Sequence, residues 1–345
     1  MGVSTKGKTN NTTEHTNMES ITKFLLVGIA ALSLFGAEAW SQTTTMVSIT
    51  GGTLPSWTSF GNQVVSTFKI GTKEVSSAEW ITVKTYALAN GYDISSEPSG
   101  NAATSPVEEV NWYDALKWCN AKTALTGGLT PVYQTTTPVT SITRNTTIAT
   151  AVTTNPHTLV TGDIVTVAGA TQSGYNLTSA AVTVVNYNTF TYTVSNATVT
   201  PATTTTAIVA SIPYKTGEIV PSVVSANTGF RLLTEIEWEW AAIGGASTHQ
   251  YTYSGSNTAN TVAWSRSNAS EAVAIGTKTA NELSLYDMSG NVFEWCFDDA
   301  VSLNARRVRG GAWLVSPESC SVLNRGYRRP DIREAGFGLR LGQNP

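Results

Sequence analysis

Residues 285–296 read LYDMSGNVFEWC, and this stretch decides how the rest of the chain is interpreted. Its Gly-Asn turn comes directly before an apolar segment that ends in Glu-Trp-Cys. Three further stretches accompany it along the chain, FRLLTEIEWE at 230–239, RGGAW at 309–313 and GFGLR at 336–340. Around these stretches the pattern is one of turns and short strands with few helices. We therefore predict an α+β domain with long connections on a Trp-rich core.

Composition limits the classes of function. The chain has 345 residues, 41% of them hydrophobic and 13% charged, which is enough to build a large core. Its formal charge of -3 provides no basic field for nucleic acid or an anionic membrane, so we expect no nucleic-acid partner. The chain has only three His and three Cys, which disfavours a His-rich transition-metal site.

The segment 135–213 differs from the rest. All ten Trp lie outside it, and Arg144 and Asp163 are its only charged residues. Alternating apolar residues at 163–167, 181–185 and 189–194 predict an inserted all-β module of about six short strands. The run HTLVTGD at 157–163 resembles a small β-module of phage-tail and adhesin-type proteins. An adhesive module and a surface insertion without a ligand both remain open.

Three helices are predicted outside the insert. A Ser cap precedes the apolar-periodic run from Trp80, which should end near Gly91. A second helix is expected over 111–121, where the apolar residues share buried faces. A third begins at Thr234, which has capping-box spacing to Glu237, and ends at Gly244-Gly245.

Residues 18–39 have the pattern of a secretory signal peptide, with basic Lys23, an apolar run over 24–35 and a small-x-small site at 37–39. The alternative of a membrane span is disfavoured because a span needs about 20 apolar residues. We expect an N-terminal extension and signal peptide over 1–39 and a secreted chain with no transmembrane span. In an oxidising compartment a disulfide could persist.

The four quoted stretches, in this order, resemble the sulfatase-modifying-factor family, which contains the formylglycine-generating enzymes. The resemblance covers about residues 46–134 and 214–341. It implies a discontinuous domain, 40–134 plus 214–345, with the module 135–213 inserted. The implied fold is the formylglycine-generating-enzyme variant of the C-type lectin fold.

The resemblance also implies which residues catalysis of the family's type would require. Formylglycine generation uses a pair of Cys that binds copper and activates oxygen, with a Ser nearby. Here Cys320 stands alone in the matching region and Ala312 occupies the Ser position. The His ligands of the family's iron-dependent branch are missing too. We expect no copper and no catalysis of these types, although a formylglycine-generating oxidase remains an alternative.

Calcium is the cofactor that the resemblance favours, through oxygen ligands around the Gly-Asn-Val-x-Glu turn. The matching positions are Asn291, Glu294 and the backbone of Val292. A second site would use Asn260, but the Asp that should follow it is missing. A hydrogen-bonded turn without metal is the alternative.

The state of the cysteines is open. A disulfide between Cys296 and Cys320 and three reduced, buried Cys are both compatible with the sequence.

Between residues 306 and 340 there are eight Arg against three acids. We expect Arg309, Arg325 and Arg340 to pair with carboxylates such as Glu235, Glu237 and Asp287 and so to hold the loops. Other residues of this end follow no core or strand period and are predicted to form a ligand-binding surface. They are Leu314, Val315, Ser316, Ser321, Leu323, Tyr327, Arg328, Ile332 and Arg333.

A fixed frame with replaceable residues near its end resembles the variable proteins of diversity-generating retroelements, which use this lectin fold. The function predicted is a secreted module whose C-terminal surface binds a protein or glycan at a cell or phage surface. A structural or accessory family member without a diversified site is the alternative.

Overall fold

A computed structural model describes residues 1–2, 43–98, 102–194, 201–202, 207–300 and 304–345. The predicted signal segment 18–39 lies outside the described residues. Residues 44–345 form one compact unit. In the described part of the chain, no helix is both long and apolar enough to cross a membrane.

The unit mixes helices and strands, so the predicted α+β class is confirmed. The helices are α1 Ser77–Ala89, α2 Trp112–Thr126, α3 Glu235–Ala242 and α4 Ala259–Val262. The first strands are β1 Met46–Ile49, β2 Gly52–Thr53, β3 Val64–Val65 and β4 Phe68–Gly71. The strands of the central segment are β5 Tyr133–Asn145, β6 Ile148–Thr153, β7 Ile164–Ala168, β8 Leu177–Ala181, β9 Thr183–Asn186, β10 Thr189–Thr193 and β11 Ile208–Pro213. The last strands are β12 Ser222–Val223, β13 Phe230–Leu232, β14 Phe293–Ala300, β15 Ala305–Arg309, β16 Gly326–Arg328, β17 Phe337–Gly338 and β18 Leu341–Gln343.

Helices α1 and α3 begin at their predicted caps, and α2 begins at Trp112, within the segment 111–121 where a helix was expected. The hydroxyl of Ser76 accepts from the backbone N–H of Glu79 at the start of α1. Asn111 caps α2 in the same way, and Thr234 forms a reciprocal capping box with Glu237 at α3. These contacts satisfy N–H groups that a helix leaves unpaired in its first turn.

Two small sheets frame the C-terminal end. One has the order β1-β4-β18-β13, so β18, the last described strand, lies between β4 near the start of the unit and β13. The other has the order β16-β15-β14-β17. Strand β14 continues directly from the Gly-Asn turn, and β17 pairs with it in parallel. The stretches quoted from the sequence therefore meet in neighbouring strands.

The central segment forms a closed barrel. Its sheet runs β8-β7-β11-β5-β6-β10-β9, and β8 and β9 are consecutive segments interrupted only at Val182. Since β8 pairs with β7 and β9 pairs with β10, this interrupted strand closes the ring. The ring has six positions, which agrees with the number of strands expected from the alternation. Its interior is filled by side chains that include Ile142, Val165, Tyr175, Phe190 and Ala210.

Candidate recognition surface

Glu235 at the first turn of α3 links three arginines. Arg309 Nη1 lies 2.9 Å from Glu235 Oε1, and the guanidinium of Arg325 binds both oxygens of the same carboxylate at 2.7 Å. Arg309 also binds Glu239 at 2.6 Å, and Arg307 approaches Glu235 at 3.4 Å. Burial alone would raise the pKa of Glu235, but the hydrogen bonds and charges of Arg325 and Arg309 lower it. This cluster holds β15 and the chain before β16 against α3.

Arg340 is the second fixed point. Its guanidinium lies 2.7 Å from Glu294, and Trp238 Nε1 donates to the other oxygen of that carboxylate at 2.7 Å. Arg340 also donates to the carbonyls of Gly71 and Tyr286. Of the three arginines expected to pair with carboxylates, Arg309 and Arg325 bind Glu235 as predicted.

Glu237 and Asp287, which were also expected to pair with these arginines, have other partners. Glu237 binds Arg231, because the two sit on adjacent elements at the capping box of α3. Arg340 pairs with Glu294, whereas Asp287 accepts from the backbone N–H of Gly276 at 2.6 Å. The partner of Arg340 is therefore the residue that the family resemblance assigned to calcium.

In this structure the side chains predicted to bind calcium have other partners. The Glu294 carboxylate is taken by Arg340 and Trp238. Asn291 donates to Glu74 at 2.7 Å and accepts from the N–H of Val273 at 3.0 Å, so its amide is also engaged. The backbone N–H of Val292 donates to Glu74.

Asn260, assigned to the second calcium site, makes separate contacts. Its side chain accepts from Asn268 at 2.6 Å and its carbonyl from Lys278. Among the residues that the structure describes, no three His, Cys, Asp or Glu side chains are grouped so that they could hold a metal ion. The Gly-Asn turn is thus held by hydrogen bonds and by an ion pair.

All three cysteines are free and buried. Cys296 Sγ faces the carbonyl of Glu294, whereas Cys320 Sγ faces the carbonyl of Ser316 and packs against Gly311. Of the two states compatible with the sequence, the structure therefore has three reduced, buried cysteines and no disulfide between Cys296 and Cys320, because the two thiols belong to different local environments. Burial raises the pKa of the Cys320 thiol to about 12.

The nine residues predicted to bind ligand are all half-buried or exposed. Tyr327 has 48% of its surface exposed and Leu323 has 37%. By contrast, Arg309 is 0% exposed and Arg340 is 1% exposed. The same stretch thus alternates between fixed arginines and accessible side chains.

The nine are not equally free. Leu314, Val315 and Ile332 pack partly against the main core. Arg328 lies 5.1 Å from the Phe337 ring, and Arg333 reaches Ser95 at 2.6 Å. Through these contacts, some of the nine residues also stabilise the fold. Ser316 lies at the start of a short 3-10 turn, and Ser321 follows its end.

A cleft beside this stretch brings in residues that the sequence pattern did not reveal. Six residues line it, and its volume is about 290 Å³. Ser321 and Leu323 come from the predicted set, and the others are Trp57, Gln250, Tyr251 and Thr252. We call these six residues the aromatic cleft. Trp57 and Tyr251 lie far from the C-terminal stretch in the chain, and only the fold brings them together.

Comparison with known proteins identifies the family. The model of the sulfatase-modifying factor enzyme 1-like domain matches residues 32–345, so the chain belongs to this family. The chaperone protein LppX of Paenibacillus barcinonensis is 28% identical over 330 residues, which cover 87% of this chain and 90% of that protein. The serine/threonine-protein kinase pkn1 of Chlamydia pneumoniae is 29% identical over 136 residues, only 21% of its length.

Two solved structures share the fold. CarF superposes with a TM-score of 0.57 at 21% identity and covers 88% of this chain and 99% of its own. Treponema denticola variable protein 1 superposes with a TM-score of 0.53 at 24% identity and covers 88% and 95%. The predicted formylglycine-generating-enzyme type of C-type lectin-like fold is confirmed. The proposed boundaries at 40–134, 135–213 and 214–345 remain a prediction.

Proposed function

We propose that this chain is a secreted, ligand-binding member of the family, and that its C-terminal surface recognises a protein or glycan at a cell or phage surface. The observation that carries the proposal is the contrast within residues 306–340. Arg309 and Arg340 are buried in ion pairs, while the nine residues predicted for recognition are all accessible in part. The fold shared with a variable protein supports the same interpretation.

The physical basis is the separation of support from contact. A buried guanidinium that binds two carboxylates fixes the strand that carries it. Loops between such points need no regular ladder of backbone hydrogen bonds, and exposed substitutions there usually change stability by less than about 0.5 kcal/mol. Tyr327 and Arg328 on strand β16 belong to the residue types that often dominate binding energy.

Formylglycine-type oxidation receives less support. That chemistry needs a pair of thiolates, and this region has the single cysteine Cys320, with Ala312 in the position of the Ser. The thiol of Cys320 is buried, and burial raises its pKa to about 12, which disfavours the thiolate that copper requires.

An accessory role is the second candidate function, because the relative from Paenibacillus barcinonensis that matches 87% of this chain is a chaperone protein. Suppression of the aggregation of reduced insulin would test this role. If the chain acts as a chaperone, suppression should not depend on Tyr327 or Arg328, since holding an unfolded chain requires no specific side-chain pattern.

The proposed recognition of a protein or glycan is tested with two probes, a printed glycan array and a phage-displayed library of short peptides. We expect the full chain to select specific members of at least one of them. The double variant Tyr327→Ala, Arg328→Ala should weaken those interactions at least tenfold, and Tyr187→Ala, an exposed residue of the barrel, should leave them unchanged. Probes that bind all three proteins equally would contradict the proposal.

A further inference from the structure

The aromatic cleft has a composition that differs from the arginine-rich stretch beside it. None of its six described residues is Asp, Glu, Lys, Arg or His. Two are aromatic, one is aliphatic, and the remaining three provide an amide and two hydroxyl groups. Such a mixture of apolar contact area with a few polar groups is typical of small-molecule sites. The absence of charged groups among these described lining residues disfavours an ionic ligand.

The loop that carries Trp57 is held from two sides. The N–H and the hydroxyl of Thr58 both bond to the carbonyl of Pro55, which forms a tight turn around Trp57. The next residue, Ser59, donates its backbone N–H to Glu239 at 2.7 Å. Glu239 is also the partner of Arg309. The Trp57 loop is therefore tied to the same buried ion pair that fixes the C-terminal stretch.

Tyr251 is held by its own neighbours. Its ring stacks on the imidazole of His249, with the centroids 5.3 Å apart, and His249 Nδ1 lies 2.9 Å from Glu282 Oε1. Between them Gln250 adopts a left-handed backbone with φ of 57°, which is uncommon for a residue other than glycine and is found at functional sites. The carbonyl of Thr252 then accepts from the N–H of Val322 at 3.0 Å.

This last bond joins the 250–252 segment to the chain between Ser321 and Leu323. Both walls of the cleft thus have fixed positions before any ligand arrives. A preorganised aromatic wall loses little conformational freedom on binding, which favours even a small ligand.

From this geometry we infer that the aromatic cleft binds a single ring of a neutral sugar. The volume of about 290 Å³ lies at the lower end of ligand sites and suits one ring, with the rest of a glycan outside the cleft. A pyranose has a face of C–H groups and a rim of hydroxyls. The C–H face would pack on the rings of Trp57 and Tyr251, and the amide of Gln250 with the hydroxyls of Thr252 and Ser321 would bond to the rim.

The inference rests on the proposed function, because Ser321 and Leu323 belong to both the cleft and the predicted recognition surface. It narrows the ligand from a protein or glycan to a neutral glycan. A peptide side chain such as proline could also pack on the aromatic wall, but it would leave the amide and the hydroxyl groups unused. That occupant is an outcome of the test.

The test measures saturation-transfer NMR with the methyl glycosides of glucose, mannose and galactose, and with glucuronate and N-acetylneuraminate as charged comparisons. We expect at least one neutral glycoside to bind with a Kd of about 1 mM and the charged sugars to bind more weakly. Tyr251→Ala should raise the Kd at least tenfold. Leu323→Ser, at an exposed position, provides a second variant in case Tyr251→Ala unfolds. Tyr187→Ala is the matched control, because this tyrosine is 70% exposed on the barrel.

Binding of no neutral glycoside at about 10 mM would overturn the inference, and so would binding that both cleft variants retain. A peptide from the displayed library that binds through Tyr327 and Arg328 while no sugar binds would overturn the sugar site alone. In that case the proposed function would stand. The proposed function itself would be overturned if neither the glycan array nor the peptide library yields a probe whose binding is weakened by the double variant Tyr327→Ala, Arg328→Ala.

Discussion

Lys215 Nζ lies 2.7 Å from Oδ2 of Asp163, and this ion pair ties the inserted barrel to the chain that follows it. Lys215 is 1% exposed, donates to the carbonyl of Asn90 as well, and lies 4.8 Å from the centre of the Tyr92 ring. Burial lowers the pKa of Lys215, and the charge of Asp163 opposes that shift. One of the two charged residues of the segment 135–213 is thus used for attachment.

Removal of the barrel should leave a folded domain. The N–H of Tyr214 donates to the carbonyl of Tyr133 at 3.0 Å, so the two ends of the insert are already adjacent. We expect a protein with residues 135–213 replaced by a short glycine linker, and with Lys215→Met, to be soluble and to melt cooperatively. The same deletion with Lys215 retained should melt lower, because a buried cation would have lost its partner. Insoluble protein in both cases would show that the barrel is needed for folding.

The buried Glu74 should give the stability a recognisable pH dependence. Burial raises its pKa well above the ordinary value, and the charges of Asp287 and Glu294 add to the shift, against the opposing charge of Arg340. The carboxyl group of Glu74 therefore binds its proton more tightly in the folded state than in the unfolded chain. As the pH rises above the ordinary value of about 4.5, folding loses free energy on account of this group.

Glu74→Gln removes that titration. The free energy of unfolding of the variant, relative to wild type, should rise by more than about 1 kcal/mol between about pH 5 and about pH 8. Urea unfolding at several pH values measures the difference, in which the contributions of carboxylates far from Glu74 cancel. Parallel pH profiles for the two proteins would show that Glu74 titrates at its ordinary pKa in the folded state.

The state of the cysteines can be counted directly. Burial raises the pKa of all three thiols, that of Cys320 to about 12, so the folded protein should react slowly with iodoacetamide near neutral pH. After unfolding in urea without a reductant, mass spectrometry should find three alkylated cysteines. A single alkylated cysteine would instead reveal the disulfide between Cys296 and Cys320.

Calcium should have no stabilising effect through Glu294. Arg340 already provides the positive charge at this carboxylate, so neither a chelator nor added calcium should shift the Tm of the wild type. Glu294→Gln should destabilise by about 3–5 kcal/mol, because it leaves the buried Arg340 without its carboxylate. That loss should be the same with and without chelator. A Tm that falls on chelation only while Glu294 is present would restore the predicted metal site.

The sequence predicts best what depends on neighbouring residues. The caps predicted at Ser76 and Thr234 involve partners three residues away and are found, and the helix expected from residue 111 begins at Trp112. The alternation over 181–185 predicts a strand, but not its interruption at Val182, where the barrel closes. That break depends on pairing with two different strands, which no local pattern contains.

The site was predictable only in part for the same reason. Exposure of Leu323 and Tyr327 follows from the lack of a core period in their stretch. The pairing of Arg340 with Glu294, by contrast, depends on where the chain between β17 and β18 places the guanidinium. Trp57 and Tyr251 join the aromatic cleft through contacts between distant loops, so no motif reveals them.

The most direct measurement compares the thermal and urea unfolding of two groups of single variants. The proposed recognition surface requires that Leu323→Ser, Tyr327→Ala and Arg328→Ala each change the free energy of unfolding by less than about 0.5 kcal/mol. Arg309→Ala and Arg340→Ala should each cost about 3–5 kcal/mol, because buried carboxylates lose their partners. If the three surface variants instead destabilise the protein as much as the two arginine variants, residues 314–333 are part of the core and do not form a recognition surface.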